Sequence, residues 1–144
     1  MAYSCLVYVA NASPDLGKSD MIQMKDQDTR RYAKAQASGV RIIASGIVFE
    51  IIEAPGNTAE ELLDGTCESP FFDDPEILLF APLKARCFKQ WMLIKRDSVP
   101  DRERCIESLR CIAQQAQVSP DQIPQAMTKM IALFQNTDQS AQAA

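Results

Sequence analysis

One carboxylate in this sequence stands where a charge is costly to keep. Residues 47–53 read Ile-Val-Phe-Glu-Ile-Ile-Glu. As a strand, they place Val48, Glu50 and Ile52 on one face and Ile47, Phe49 and Ile51 on the other. Both faces are otherwise apolar, so the sheet is expected to be covered on each side. Glu50 must then be paired, hydrogen-bonded or protonated, unless a pocket opens beside it to water. The rest of the reactive inventory is thin. The chain has no histidine, which removes Ser-His and Cys-His nucleophile pairs and any imidazole base. It has five glycines and neither phosphate-loop pattern, so it offers little for a phosphate cradle. Glu60-Glu61 and Asp73-Asp74 read as solvated helix and turn residues, and Arg30-Arg31 as a solvated helix face. The lone tryptophan, Trp91, reads as a packed core or interface aromatic.

The five cysteines, Cys5, Cys67, Cys87, Cys105 and Cys111, are odd in number and widely spread. They do not suggest a disulfide framework. With no C-x-x-C pair and no histidine, a zinc site is not expected. They read as reduced, mostly buried small apolar residues, with a redox-sensing thiol as the alternative. A net charge of −4 with scattered basic groups lacks the basic face that nucleic acid requires. No apolar run approaches the roughly 20 residues of a membrane span. Met1-Ala2-Tyr3-Ser4 begins no signal peptide, so a cytoplasmic protein is expected.

These residues need a scaffold, and 144 residues suffice for one core plus an appendage. Residues 3–9 are rich in β-branched and aromatic types and predict a strand. After the break at 11–15, Ser19 offers an N-cap for a helix to about residue 37. Residues 40–44 and 47–53 predict strands joined through Ser45-Gly46 as a tight hairpin. Residues 58–68 predict a helix, and 77–81 and 87–95 two more strands joined by a turn at Pro82. The order β-α-β-β-α-β plus a fifth strand predicts an α+β, ferredoxin-like fold: a mixed five-stranded sheet with two helices on one face. Beyond Pro100 the apolar period becomes helical over 102–117. Ser119-Pro120-Asp121-Gln122 suggests an N-cap, a proline at the first helical position and a capping-box glutamine, opening a helix to about Phe134. Its stripe of Met127, Met130, Ile131 and Phe134 is expected to pack on the protein's own sheet, with an intersubunit contact as the alternative. The division read from this is 1–97 as the main domain, 98–135 as a C-terminal helical extension and 136–144 as a disordered tail.

A collinear set of residues across this scaffold resembles the BLUF family of blue-light-sensing flavin domains. It runs through Leu6-Val7-Tyr8, Asp15-Leu16, Arg30, Gly39, Phe49-Glu50-Ile51-Ile52-Glu53 and Phe88-Lys89-Gln90-Trp91. The short C-terminal helices resemble those of stand-alone, ring-forming members. The resemblance implies FAD held between the two core helices, and a light response that runs through a tyrosine and a glutamine bonded to each other and to the flavin. A strand-five tryptophan and a nearby methionine relay the change.

At the corresponding positions this chain keeps Tyr8 and Trp91, with Met92 beside the latter and Leu93 where a methionine is usual. The glutamine is replaced by Glu50, the flavin-gripping asparagine by Tyr32, and its neighbour by Arg31. Gly65 and Ser69 stand for the helix-two arginine and aspartate, and Phe71-Phe72-Asp73 for the histidine-bearing segment. Amide side chains match the donor and acceptor edge of a flavin, whereas an ionised glutamate only accepts. Tyr32 has the bulk to fill the ring site. The resemblance also puts Tyr8 near Glu50, so a Tyr8 hydroxyl contact to Glu50 is expected, with Arg31 or Arg41 as candidate cations.

The expectation is therefore a domain without flavin or metal, serving as an interaction or oligomerisation module. It would assemble with itself or with another protein, such as a true BLUF receptor, and not with nucleic acid or membrane. The alternative is an atypical FAD-binding photoreceptor using Tyr8 and Glu50. An enzyme on the same architecture, such as an acylphosphatase, is disfavoured because Val9-Ala10-Asn11-Ala12-Ser13 carries no catalytic arginine.

Overall fold

The computed structural model describes residues 2–44, 46–97, 99 and 101–143, with side chains described up to residue 135. The elements are β1 (Tyr3–Ala12), α1 (Lys18–Lys34), β2 (Ser38–Ala44), β3 (Ile47–Pro55), α2 (Thr58–Cys67), β4 (Phe72–Leu83), β5 (Trp91–Arg96), α3 (Arg102–Val118) and α4 (Ile123–Ala143), with a single 3-10 turn at Pro120–Gln122. The sheet order is β4-β1-β3-β2-β5. β2 and β5 run parallel, and the other neighbours are antiparallel. This is the expected ferredoxin-like α+β arrangement.

Alternation along β1 and β3 sends side chains into two separate cores. Cys5, Val7, Val9, Ile47, Phe49 and Ile51 pack beneath α3 and α4, joined by Leu109, Met127, Met130 and Phe134. Phe49 and Phe134 stack with ring centroids 5.3 Å apart. The methionine stripe thus covers the chain's own sheet. Leu6, Tyr8, Val48 and Ile52 face the other way, against α1 and α2, with Tyr32 and Trp91. Both faces of the sheet are covered, which is why β3 reads as an almost unbroken apolar run.

Several boundaries differ from the sequence expectation, each for a local reason. α1 is capped by Gly17, whose N–H donates to Asp20 Oδ2 at 2.9 Å. It stops at Lys34 because Gln36 turns to a left-handed φ of 58°, returning the Ala37 N–H to the Tyr32 carbonyl. β4 begins at Phe72 and absorbs both the Asp73-Asp74-Pro75 break and the Pro82 turn. Irregular pairing with β1, together with a left-handed Asp74, lets an edge strand carry these residues.

β5 starts only at Trp91. Upstream, the Glu53 carboxylate accepts the N–H groups of Cys87 at 2.7 Å and Phe88 at 3.0 Å, which holds the chain as a loop. The capping box at Ser119 does not form; Gln122 N–H instead donates to the Ser119 carbonyl. α4 spans Ile123–Ala143. Ser45, the first half of the expected hairpin signal, lies outside the described residues, as do Ser98 and Pro100. All five cysteines are free. Cys5 and Cys105 are buried, Cys67 is half-buried, and Cys87 and Cys111 are exposed, so the expectation of mostly buried thiols fails for the last two. No helix among the described residues is long and apolar enough to cross a membrane.

Gly39 fixes the approach of β2 to β3. Its φ is +144°, and a Cβ there would lie 1.9 Å from the Ile51 carbonyl oxygen. Gly39→Ala is expected to destabilise the fold by about 3 kcal/mol or more, since backbone strain and overpacking add. Urea unfolding measures this; a midpoint unchanged from the parent would show that the two strands separate easily.

Candidate functional site

The sheet register assembles the site. Tyr8 on β1 and Arg41 on β2 lie directly opposite Glu50 on β3, one on each side. Cross-strand neighbours on one face are about 5 Å apart, so this row brings a phenol, a carboxylate and a guanidinium together. α1 adds Asp28, Arg31 and Tyr32 above the row. The end of α2 adds Thr66, and the start of β5 adds Trp91.

Glu50 is fully buried, which overturns the idea of a pocket opening beside it to water. Its Oε1 accepts the Tyr8 hydroxyl in a very short contact. Its Oε2 accepts the Tyr32 hydroxyl at 2.7 Å and the Trp91 indole N–H at 2.9 Å. Arg41 Nε lies 3.3 Å from Oε1, paired by charge without hydrogen-bond alignment. Arg41 is also fully buried. Its Nη1 donates to Asp28 at 2.6 Å, and its Nη2 to Tyr32 Oη at 3.2 Å and Thr66 Oγ1 at 3.1 Å. Arg31 then continues the chain outward, donating to Asp28 at 3.2 Å, to the Leu62 carbonyl at 3.1 Å and to Thr66 at 2.6 Å. Carboxylate and guanidinium thus alternate from Glu50 through Arg41 and Asp28 to Arg31, as side-chain exposure rises from 0% to 32%.

The rings close the space that remains. Tyr32 and Trp91 lie 4.9 Å apart, tilted by 32°, and the Arg41 guanidinium sits 4.9 Å from the Trp91 ring centroid. Burial, and then the charge of Glu50, push both the Tyr8 and Tyr32 phenols well above their ordinary value. Burial alone would lower Arg41, but Glu50, the two tyrosines and Asp28 outweigh it and hold the guanidinium charged. The arrangement is a satisfied internal ion network in which each oxygen of Glu50 already has at least one donor. Outside it, between α1 and α2, a cleft of about 460 Å³ remains, lined among others by Gln23, Gln27, Asp28, Arg31, Glu68 and Phe71.

The structure brings four of the five expected site residues into direct contact: Tyr8, Tyr32 and Trp91 all meet on Glu50. Arg31 does not reach it, and is linked through Asp28 and Thr66. Nor is Arg31 a solvated partner of Arg30. Arg30 pairs with Asp26 at the surface, while Arg31 bridges α1 to α2. Arg41, one of the two candidate cations, is the one that meets Glu50. Asp28 and Thr66 were not expected. Asp28 looks like the other aspartates of α1, and only its position four residues before Tyr32 places it on the same helix face.

The family model described as "BLUF: Sensors of blue-light using FAD" matches residues 3–94. The chain belongs to the BLUF family. Solved BLUF structures share the fold. The BlrP1 BLUF domain is 14% identical with a TM-score of 0.65, covering 93% of this chain and 90% of that one. BlrB, a BLUF protein in its dark state, is 18% identical with a TM-score of 0.64, covering 91% and 96%. A bacterial light-regulated adenylyl cyclase is 17% identical with a TM-score of 0.62; 92% of this chain is covered, but the match spans 40% of the cyclase. At such identities the likeness carries the fold alone. No curated protein sequence matches the chain.

Proposed function

We propose that this BLUF domain works without flavin, as a protein-interaction or oligomerisation module and not as an enzyme. The observation that carries this reading is the saturation of Glu50 by Tyr8, Tyr32 and Trp91, with Arg41 alongside. A flavin edge between α1 and the sheet would have to displace Tyr32 and face an acceptor-only carboxylate. Each buried hydrogen bond broken without replacement costs about 1–3 kcal/mol, and about 1.4 kcal/mol is tenfold in affinity. The residues present do not fit the ring.

Interaction is supported by how the two sheet edges are treated. On β4, the Gln117 carboxamide of α3 engages both the Phe80 N–H and its carbonyl, and Arg110 clamps Glu76 with two bonds of 2.8 Å. Such coverage blunts an edge against further pairing. On β5, among the described residues, no strand pairs with the outer edge, and Met92 is 41% exposed there. That open edge suits a second copy of the chain or another protein in a hetero-oligomer.

The test is the visible spectrum of freshly purified protein and its mass by size exclusion. We expect a colourless protein larger than a monomer; a stoichiometric yellow chromophore, or a strict monomer with no partner, would overturn the reading. One observation favours a second reading, an atypical FAD-binding photoreceptor: Tyr8 still bonds directly to the residue at the glutamine position. A light-minus-dark absorbance change after adding FAD would establish that alternative.

A further inference from the structure

A second concave site lies on the other side of Trp91 from the ion network. It is a groove of about 520 Å³ between α1, the start of β1 and the loop before β5, lined by Tyr3, Gln36, Arg86, Lys89, Gln90 and Trp91 among others. That is within the size range of small-molecule sites. Its lining contains two cations and no carboxylate, in a chain whose net charge is −4. The nearest acid by bonding, Glu53, is turned inward behind Ser38 onto the Cys87 and Phe88 N–H groups.

Arg86 is an exposed side chain oriented by three weak contacts. Its Nε donates to Ser38 Oγ at 3.3 Å, its Nη1 lies 3.4 Å from Tyr3 Oη, and its guanidinium sits 5.0 Å from the Tyr3 ring centroid. Its exposure leaves the guanidinium reachable from solvent. A planar guanidinium oriented in this way recognises phosphate or carboxylate oxygens with geometric selectivity. Lys89 adds a mobile second charge. Gln36 and Gln90 each offer both a donor and an acceptor, the match for a heterocyclic edge.

We propose that this groove binds a small organic phosphate of the size and class of a nucleoside monophosphate. The phosphate lies on Arg86 and Lys89, and the heterocycle lies along the amides of Gln36 and Gln90 against the edge of Trp91. This site is separate from the cleft between α1 and α2, and its occupancy does not depend on whether that cleft takes flavin. Because the Trp91 N–H donates to Glu50, a ligand at its rim also touches a residue that joins the groove to the ion network.

The chain's single tryptophan is the reporter. Full-length protein is titrated with adenosine monophosphate, with ribose 5-phosphate, with inorganic phosphate and with adenosine, while indole emission is followed. We expect a saturable change with adenosine monophosphate at or below about millimolar concentration. Ribose 5-phosphate and inorganic phosphate are expected to bind at least about tenfold more weakly, and adenosine to give no change. Lys89→Gln should weaken binding several-fold and Arg86→Gln/Lys89→Gln at least about tenfold. Far-ultraviolet circular dichroism reports whether each variant keeps the fold, and the exposed Lys89→Gln carries the test if the double variant does not. Absence of a saturable change with adenosine monophosphate overturns the proposal. So does equal affinity for inorganic phosphate, or undiminished binding by the folded variants.

Discussion

Glu50→Leu should destabilise the domain by about 3–5 kcal/mol, the cost of breaking a buried ion pair from one side. Arg41 would keep its charge with only Asp28 facing it, since both Arg41 and Glu50 are fully buried. Three donors, the Tyr8 and Tyr32 hydroxyls and the Trp91 N–H, would also lose their acceptor. A typical domain has about 5–15 kcal/mol to lose, so the variant is expected to unfold at markedly lower urea. Glu50→Gln keeps an acceptor for part of this set and should cost less. The double variant Glu50→Leu/Arg41→Leu removes the uncompensated charge along with its partner, and should recover part of the loss. Urea midpoints of the three variants test the ordering. If Glu50→Leu unfolds later than the parent, the carboxylate is a relic and the network does not stabilise the domain.

Alkaline pH should undo the same network, with a sign fixed by the phenols. Tyr8 and Tyr32 are both raised in the folded state, by burial first and by Glu50 second. The folded protein therefore holds these protons more tightly than the unfolded chain does. The stability that follows is complete below the unfolded phenol value, near 10, and is lost as pH rises above it toward the folded values. Each phenol contributes a slope of about 1.4 kcal/mol per pH unit in that window. The Cys5 thiol, raised by burial and then by Glu53 and Cys87, acts in the same direction from about pH 8.5, the ordinary thiol value. The half-buried Cys67, the buried Cys105 and the loop thiol Cys87 are also raised, chiefly by burial. Urea unfolding from neutral to strongly alkaline pH should show a decline that begins with the thiols and steepens near pH 10. Tyr8→Phe and Tyr32→Phe should each flatten the steep part. A stability that stays level through that range would mean the phenols are not sealed from water.

The sites of these two effects were unequally visible beforehand. The polar-in-apolar position of Glu50 marks, from seven residues of sequence, a carboxylate that must be paired, hydrogen-bonded, protonated or reached by a pocket; its full burial is decided by the structure. Tyr8, Tyr32 and Trp91 were reached only through resemblance, since nothing local in their neighbourhoods marks them as partners of one carboxylate. Asp28 and Thr66 escaped even that. Each is one polar residue among several on a helix, and its selection depends on where α1 and α2 cross the sheet.

By itself, then, the order of apolar periods in the chain determined the α+β layering, the two covered sheet faces and the presence of an acid on an otherwise apolar strand. Those properties follow from burial patterns that are local in sequence. Which groups meet that acid was decided by strand register and helix placement. These brought Tyr8 and Arg41 from 42 and nine residues away, and chose Arg41 over Arg31 as the countercharge. The limits of β4 and β5 were also tertiary decisions. Pairing with β1 carried two prolines and a left-handed aspartate into an edge strand, and a buried glutamate took two N–H groups that a longer β5 would have used. Long-range hydrogen bonding outweighed local propensity at each of these points.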